Sequence, residues 1–143
     1  MKSVLFLSPH GRCIYRPEGE VWGCNRSYRL GVSQTRHFVI DHLWEVEREE
    51  PNEVYASELA ALDIPVVMQR HHPEIPLSEA FPLKQIVADL GRDYFTSSFA
   101  YMFAMAIWER YDRIVLHKVI CNTYPGFVDQ KPCLDYWIGY AEG

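Results

Sequence analysis

Tyr94-Phe-Thr-Ser-Ser-Phe-Ala-Tyr-Met-Phe-Ala-Met-Ala-Ile-Trp-Glu-Arg-Tyr-Asp-Arg-Ile-Val-Leu116 is the stretch that decides the fold. Thr96, Ser97 and Ser98 stand directly before an apolar run, the pattern of a hydroxyl-capped helix start. The run predicts a helix over Phe99 to Tyr111 that is apolar on nearly every side, and so buried against more than one surface. Met102 and Met105 on it read as core residues. The helix feeds into Arg113-Ile-Val-Leu-His117, a β-rich run that reads as a strand. Such a helix aims backbone N–H groups and the positive end of its dipole at whatever lies in front. In a parallel α/β sheet that is where phosphate-bearing ligands bind.

Four more strands are expected, over Lys2 to Leu7, Gly19 to Cys24, His37 to Asp41 and Ile64 to Gln69. Pro65 suits a strand start and would be awkward in the middle of one. Helices are expected over Asn52 to Leu62 with Asn52 as N-cap, over Leu83 to Leu90 closed by Gly91, and over Pro132 to Ala141. The segment His71 to Pro82 carries three prolines and reads as an irregular loop. The strands are short and apolar and alternate with helices, which is the signature of a parallel sheet covered on both faces. The expected architecture is α/β: one Rossmann-like domain over residues 1–143, with a mainly parallel sheet of about five strands flanked by helices.

Composition limits the function classes. The 143 residues are 48% hydrophobic and 23% charged, a globular balance with no run long enough for a membrane span. The start of the chain does not read as a signal peptide, and a soluble protein of the cytoplasm is expected. The formal net charge of −5, with acid concentrated in Glu45 to Glu53, argues against a nonspecific nucleic-acid binder. Cys13, Cys24, Cys121 and Cys133 form no Cys-x-x-Cys pair, so reduced thiols are expected, with neither zinc nor a disulfide framework. No pair among the histidines His37, His42, His71, His72 and His117 has metal-ligand spacing, and no metal or cofactor is expected. His10, His72 or His117 suits a general base near neutral pH.

Three segments are candidate sites. Ser8-Pro-His-Gly-Arg12 follows the first strand, where backbone approach and the charge of Arg12 would suit an anion. It lacks both the phosphate-loop pattern and the Gly-x-Gly-x-x-Gly dinucleotide pattern, and taken alone it reads as a plain turn before it reads as a site. In Trp22-Gly-Cys-Asn-Arg-Ser-Tyr-Arg29, Asn25 can donate and accept toward a ribose or a base edge, while Arg26 and Arg29 could meet an anion. The plain alternative there is a strand end whose Asn holds the next loop. Thr96, Ser97 and Ser98 form the third, although a helix needs a cap whether or not a ligand exists.

Trp22-Gly-Cys-Asn-Arg-Ser-Tyr28, Phe95-Thr-Ser-Ser-Phe-Ala-Tyr-Met-Phe-Ala-Met-Ala-Ile107 and Tyr111-Asp-Arg-Ile-Val-Leu116 resemble the nucleotide-binding half of bacterial sialyltransferases that use CMP-activated sialic acid. Nearly the whole chain also resembles a group of small phage proteins with no established activity. They share the Trp-Gly-x-Asn element, the Ile64-Pro-Val-Val-Met-Gln69 strand, the His72-Pro-Glu-Ile-Pro76 loop, the Thr-Ser helix and Gln130-Lys-Pro-Cys133. The resemblance implies that Asn25, Thr96, Ser97 and Ser8 contact a nucleotide or nucleotide sugar.

There are departures as well. The sialyltransferases' Gly-Asn-Gly-Pro-Ser-like loop is replaced by Ser8 to Arg12, and their strand-end acid by Lys118-Val-Ile120. There is no room for the family's lid segment with its catalytic His and Tyr. Relatives are expected to continue past Ala141-Glu-Gly143 into another strand, so a shortened member is expected.

The expected function is nucleotide or nucleotide-sugar binding of a glycosyltransferase-like phage type, with Asp41 or a histidine deprotonating an acceptor if sugar is transferred. Two alternatives stay open. One is a non-catalytic nucleotide-binding regulator that sequesters a host signal. The other is a structural protein or homo-oligomer using Trp22, Trp44 and Trp137 as interface anchors.

Overall fold

The computed structural model describes residues 1–9, 18–41, 55–117 and 130–143. Among these residues the chain forms a six-stranded, all-parallel sheet flanked by four α-helices, an α/β fold. The strands are β1 (Ser3–Leu7), β2 (Glu20–Cys24), β3 (Arg36–Val39), β4 (Val66–Met68), β5 (Ser78–Ala80) and β6 (Arg113–His117). The helices are α1 (Tyr55–Ala60), α2 (Leu83–Leu90), α3 (Ser98–Trp108) and α4 (Gln130–Glu142), with a 3-10 turn at Ser27–Leu30. The spatial order is β5-β4-β3-β2-β1-β6. Successive strands therefore step outward from β1 as far as β5, and the chain then returns to place β6 on the other side of β1.

The five expected strands all form. The sixth, β5, lies inside the segment expected to be an irregular loop. It pairs in parallel with β4, from Val66↔Ser78 to Met68↔Ala80. Only Ser78 of its three residues is buried, so it carries no apolar signal. As an edge strand it needs hydrogen bonds on one side alone, which lets prolines flank it. Pro65 stands immediately before β4, as expected, and its carbonyl accepts from the His37 N–H at 2.9 Å. Helix α1 is described from Tyr55 onward, so the expected Asn52 cap lies outside the described residues. Gly91 closes α2 in the left-handed conformation (φ 66°), its N–H donating to Val87 O at 2.9 Å.

Strand alternation sends side chains to two faces. On one face Val4, Phe6, Trp22, Cys24, Phe38, Ile40 and Val67 pack under α2, α3 and α4. The opposite face carries Leu5, Leu7 and Val21, and farther along Val39, Val66 and Met68 with Tyr55 and Leu59 of α1. Trp22 is the aromatic centre of the first face. It stacks on Phe6 (centroids 5.8 Å apart) and meets Phe38 and Tyr111 at 5.3 and 5.1 Å. Trp22 and Trp137 are both fully buried, so neither can anchor an interface, and Trp44 lies outside the described residues.

Helix α3 lies across β1, β2 and β3 and between α2 and α4, which explains its apolar composition all round. Ala100, Met102, Phe103, Ala104, Met105 and Ala106 are all buried. The carboxyl end of α3 is tied to the amino edge of the sheet. Arg36, the first residue of β3, pairs with Glu109 at 2.9 Å, and Lys2 Nζ donates to Glu109 O at 2.7 Å. Its amino end, with Thr96, Ser97 and Ser98, therefore stands at the carboxyl edge of the strands. Among the described residues no helix is long and apolar enough to cross a membrane.

Trp22→Ala removes the ring that joins β1, β2 and β3 to Tyr111. It is expected to cost about 3–5 kcal/mol in urea unfolding, as for other fully buried aromatics. A cost near zero would show that the aromatic cluster does not carry the sheet.

Candidate functional site

Four groups of sequence-selected residues meet at the carboxyl edge. Ser8 follows β1, is 1% exposed, and donates its N–H to His117 O at 3.4 Å across to β6. Asn25 follows β2 in the left-handed conformation (φ 52°), and its N–H donates to Phe38 O at 3.0 Å. Arg26 comes next, its guanidinium 4.9 Å from the centre of the Tyr55 ring. Ser97 is the N-cap of α3, accepting from the Ala100 N–H at 3.3 Å, with Thr96 exposed beside it and Ser98 opening the helix. Arg12 and His10 lie outside the described residues, as do Lys118–Ile120.

The segment before α3 is held from behind by α4. Trp137 Nε1 donates to Tyr94 O at 2.6 Å, and the Thr96 N–H donates to Cys133 Sγ at 3.3 Å. Cys24 and Cys133 are both buried, free thiols, while Cys13 and Cys121 lie outside the described residues. Burial pushes the Cys24 thiol up to about 12, and the Asp41 carboxylate adds to the rise. Cys24 is thus a small core residue and no nucleophile.

The Asn25 turn and the Thr-Ser helix share one edge but approach it from opposite faces of the sheet. Asn25 and Arg26 turn toward the Tyr55 face, whereas α3 packs on the Trp22 face. Asp41 is exposed just past β3 at the same edge. Its charge helps raise the hydroxyl pKa of Tyr55 on one side and of Tyr101, on α3, on the other, in both cases after the larger effect of burial.

Behind Asn25 sits a buried polar cluster that sequence reading missed. His37 Nε2 meets Asn25 O at 2.7 Å and His37 Nδ1 meets Gln34 Oε1 at 2.8 Å, while Gln34 Nε2 donates to Ser27 Oγ at 3.0 Å. Gly23 makes room for it, because a Cβ there would collide with Ser27 Oγ and the Gln34 amide. Burial drives the His37 pKa from its ordinary 6.5 down to about 4, against the opposing pull of the Asn25 carbonyl. Two carbonyl partners would favour the charged ring, yet desolvation is the larger effect and favours the neutral one. A half-turn of the Gln34 amide, whose N and O are nearly equal in size, presents its N–H to Nδ1 and reconciles the two. His37 is therefore a structural clamp on Asn25 with both nitrogens committed.

Other expectations are narrowed by partners. Arg29 is held by Glu58 through Nε (2.9 Å) and Nη2 (2.7 Å), and Glu58 also accepts from the Tyr28 hydroxyl, so Arg29 serves the fold before any anion. His71 Nδ1 faces the Ser78 carbonyl at 2.8 Å, and His72 pairs with Glu74 at 3.4 Å. Among the described residues no three His, Cys, Asp or Glu side chains are grouped to hold a metal. A cavity of about 530 Å³ lies elsewhere, along β6 between α3 and α4, with Phe103, Ile107, Ile114 and Ile138 as its apolar wall. None of the candidate site residues among the described residues lines it.

No protein-family model, no curated protein and no solved structure matches this chain.

The clamp has a pH signature. A His37 that is neutral in the fold, with its pKa lowered from 6.5 to about 4, leaves stability intact above pH 6.5. Stability then falls as acid protonates the unfolded chain first, by on the order of 3 kcal/mol at pH 4. His37→Gln should flatten that part of the profile. Stability lost instead as pH rises through 6.5 would show that the ring is charged in the fold.

Proposed function

We propose that this chain binds a nucleotide or nucleotide sugar across the carboxyl edge of its sheet. The observation that carries the reading is that a serine-capped helix start on one face of the sheet and a clamped asparagine turn at the end of β2 on the other share this edge. The first-turn N–H groups and dipole of α3 favour a phosphate oxygen, with the hydroxyls of Thr96 and Ser98 beside them. Asn25, fixed by His37 behind it, offers a donor and an acceptor to the nucleoside, and Arg26 adds positive charge. The resemblance of Trp22–Tyr28 and Phe95–Ile107 to the nucleotide-binding half of the sialyltransferases supports the same ligand class.

Sugar transfer is a second reading, favoured by Asp41. It is an exposed carboxylate at this edge, suited to take a proton from an acceptor hydroxyl as the nucleotide phosphate leaves. Binding without turnover would point to a regulator that sequesters a nucleotide.

A thermal-shift screen against CMP, UMP, cyclic nucleotides and nucleotide sugars tests the reading. A ligand at about 100 times its Kd adds roughly 2.7 kcal/mol and raises Tm by several degrees. Asn25→Gly deletes the side chain without straining a left-handed backbone, and Thr96→Ala deletes one hydroxyl. Each is expected to weaken binding about tenfold while leaving the unliganded Tm nearly unchanged. If no nucleotide stabilises the wild-type chain, the proposed function is wrong.

A further inference from the structure

The described histidines differ in what their ring nitrogens meet. Both nitrogens of His37 are engaged within the fold, His71 Nδ1 faces Ser78, and His72 Nδ1 is paired with Glu74. His117 Nε2 is buried and finds no hydrogen-bond partner among the described residues. His72 Nδ1 also lacks a hydrogen bond but has the Glu74 carboxylate 3.4 Å away, whereas His117 has no ion pair among the described residues. A buried ring nitrogen left in that state costs free energy unless something else meets it.

The position of His117 gives that nitrogen a use. It is the last residue of β6, opposite Leu7 in the register of β1, and its carbonyl accepts from the Ser8 N–H. β1 and β6 are the strands between which the order of the sheet reverses, and the crevice at such a reversal is where open α/β sheets take ligands. Strand alternation puts the His117 side chain on the face of Val115, Leu5 and Leu7. That is the face toward which Asn25 and Arg26 also turn. In the order β2-β1-β6, Asn25, Ser8 and His117 form a row along the edge, its ends two strand spacings or roughly 10 Å apart.

We propose that His117 is a ligand-contacting residue of this edge, its Nε2 hydrogen-bonding a ribose hydroxyl of the bound nucleotide. A hydroxyl both donates and accepts, so it satisfies Nε2 in either tautomer. The assignment rests on the nucleotide-binding reading above and adds to it the group that recognises the sugar. Asn25 at the other end of the row is left for the remainder of the nucleoside, and the phosphate for α3.

The test compares CMP, UMP, AMP and GMP, each with its 2′,3′-dideoxy counterpart, by calorimetric titration of the wild-type chain, His117→Phe and His117→Gln. The wild type should bind its preferred ribonucleotide at least about tenfold more tightly than the dideoxy form. His117→Phe should bind both forms with the wild type's dideoxy affinity, and its unliganded Tm should be equal or higher, since an unpartnered buried nitrogen is gone. His117→Gln, which carries an amide close to the place of Nε2, should restore part of the preference. A ribose preference that survives in His117→Phe overturns the assignment and leaves nucleotide binding standing. Failure of the wild type to bind any of the eight, or any cyclic nucleotide or nucleotide sugar of the thermal-shift screen, removes nucleotide binding and this assignment with it. Should His117→Phe not fold, the imidazole ¹⁵N resonances of the wild type decide. Movement of the His117 Nε2 signal with the ribonucleotide and not with its dideoxy form supports the contact, and equal movement or none overturns it.

Discussion

The tie between helix α3 and the amino edge of the sheet orders the rest of the molecule. Arg36 opens β3, lies over the Trp22 ring at 4.7 Å and pairs with Glu109 at the end of the helix. Lys2, preceding β1, donates to the carbonyl of the same glutamate and takes the Asp112 carboxylate on its own N–H at 2.7 Å. With that end fixed and Ala100, Ala104 and Ala106 buried, the helix has one direction available across β1, β2 and β3. Its Ser97 cap then stands at the carboxyl edge, where the strand ends already gather Ser8, Asn25 and Asp41. Both charges of the Arg36–Glu109 pair are largely buried, so breaking it from one side would cost more than an exposed ion pair contributes.

The two helical layers give the edge a division of labour. On the Trp22 face the helix start supplies amides and hydroxyls with no formal charge of their own. On the other face Asn25 and Arg26 are held by groups that have no freedom left, namely His37 locked by Gln34 and Tyr55 lying under the guanidinium. A residue held off the common backbone regions needs support from behind, and the buried cluster of Ser27, Gln34 and His37 provides it. Gly23 is part of the same support, since only a residue without a Cβ lets the Gln34 amide and Ser27 hydroxyl come so close.

Much of the fold was legible because short apolar runs in β1, β2 and β6, and a nearly all-apolar helix with a serine before it for α3, leave a plain signal. β5 left none, because two of its three side chains face outward and its ladder comes from position beside β4 rather than from composition. The site was legible in part. Asn25 and Ser97 announced themselves by residue type next to element ends. The clamp behind Asn25 did not, since Gly23, Ser27, Gln34 and His37 look like ordinary turn and strand residues until β2 and β3 fall into register. Arg29 misled for the converse reason: its partner Glu58 lies 29 residues away and no local pattern reveals it. The tryptophans offered as interface anchors show the same limit, because the residue type alone does not distinguish a core ring such as Trp22 from a surface one.

The most direct measurement is an amide ¹H–¹⁵N NMR titration of the chain with the nucleotide that stabilises it most. Ligand across the carboxyl edge should move the amides of Asn25, Arg26, Ser97, Ser98, Phe99 and His117 together, with one affinity. Shifts confined to Arg113–Leu116 and Ile138–Glu142, beside the cavity along β6, would place the ligand elsewhere. That result would contradict the account of the edge.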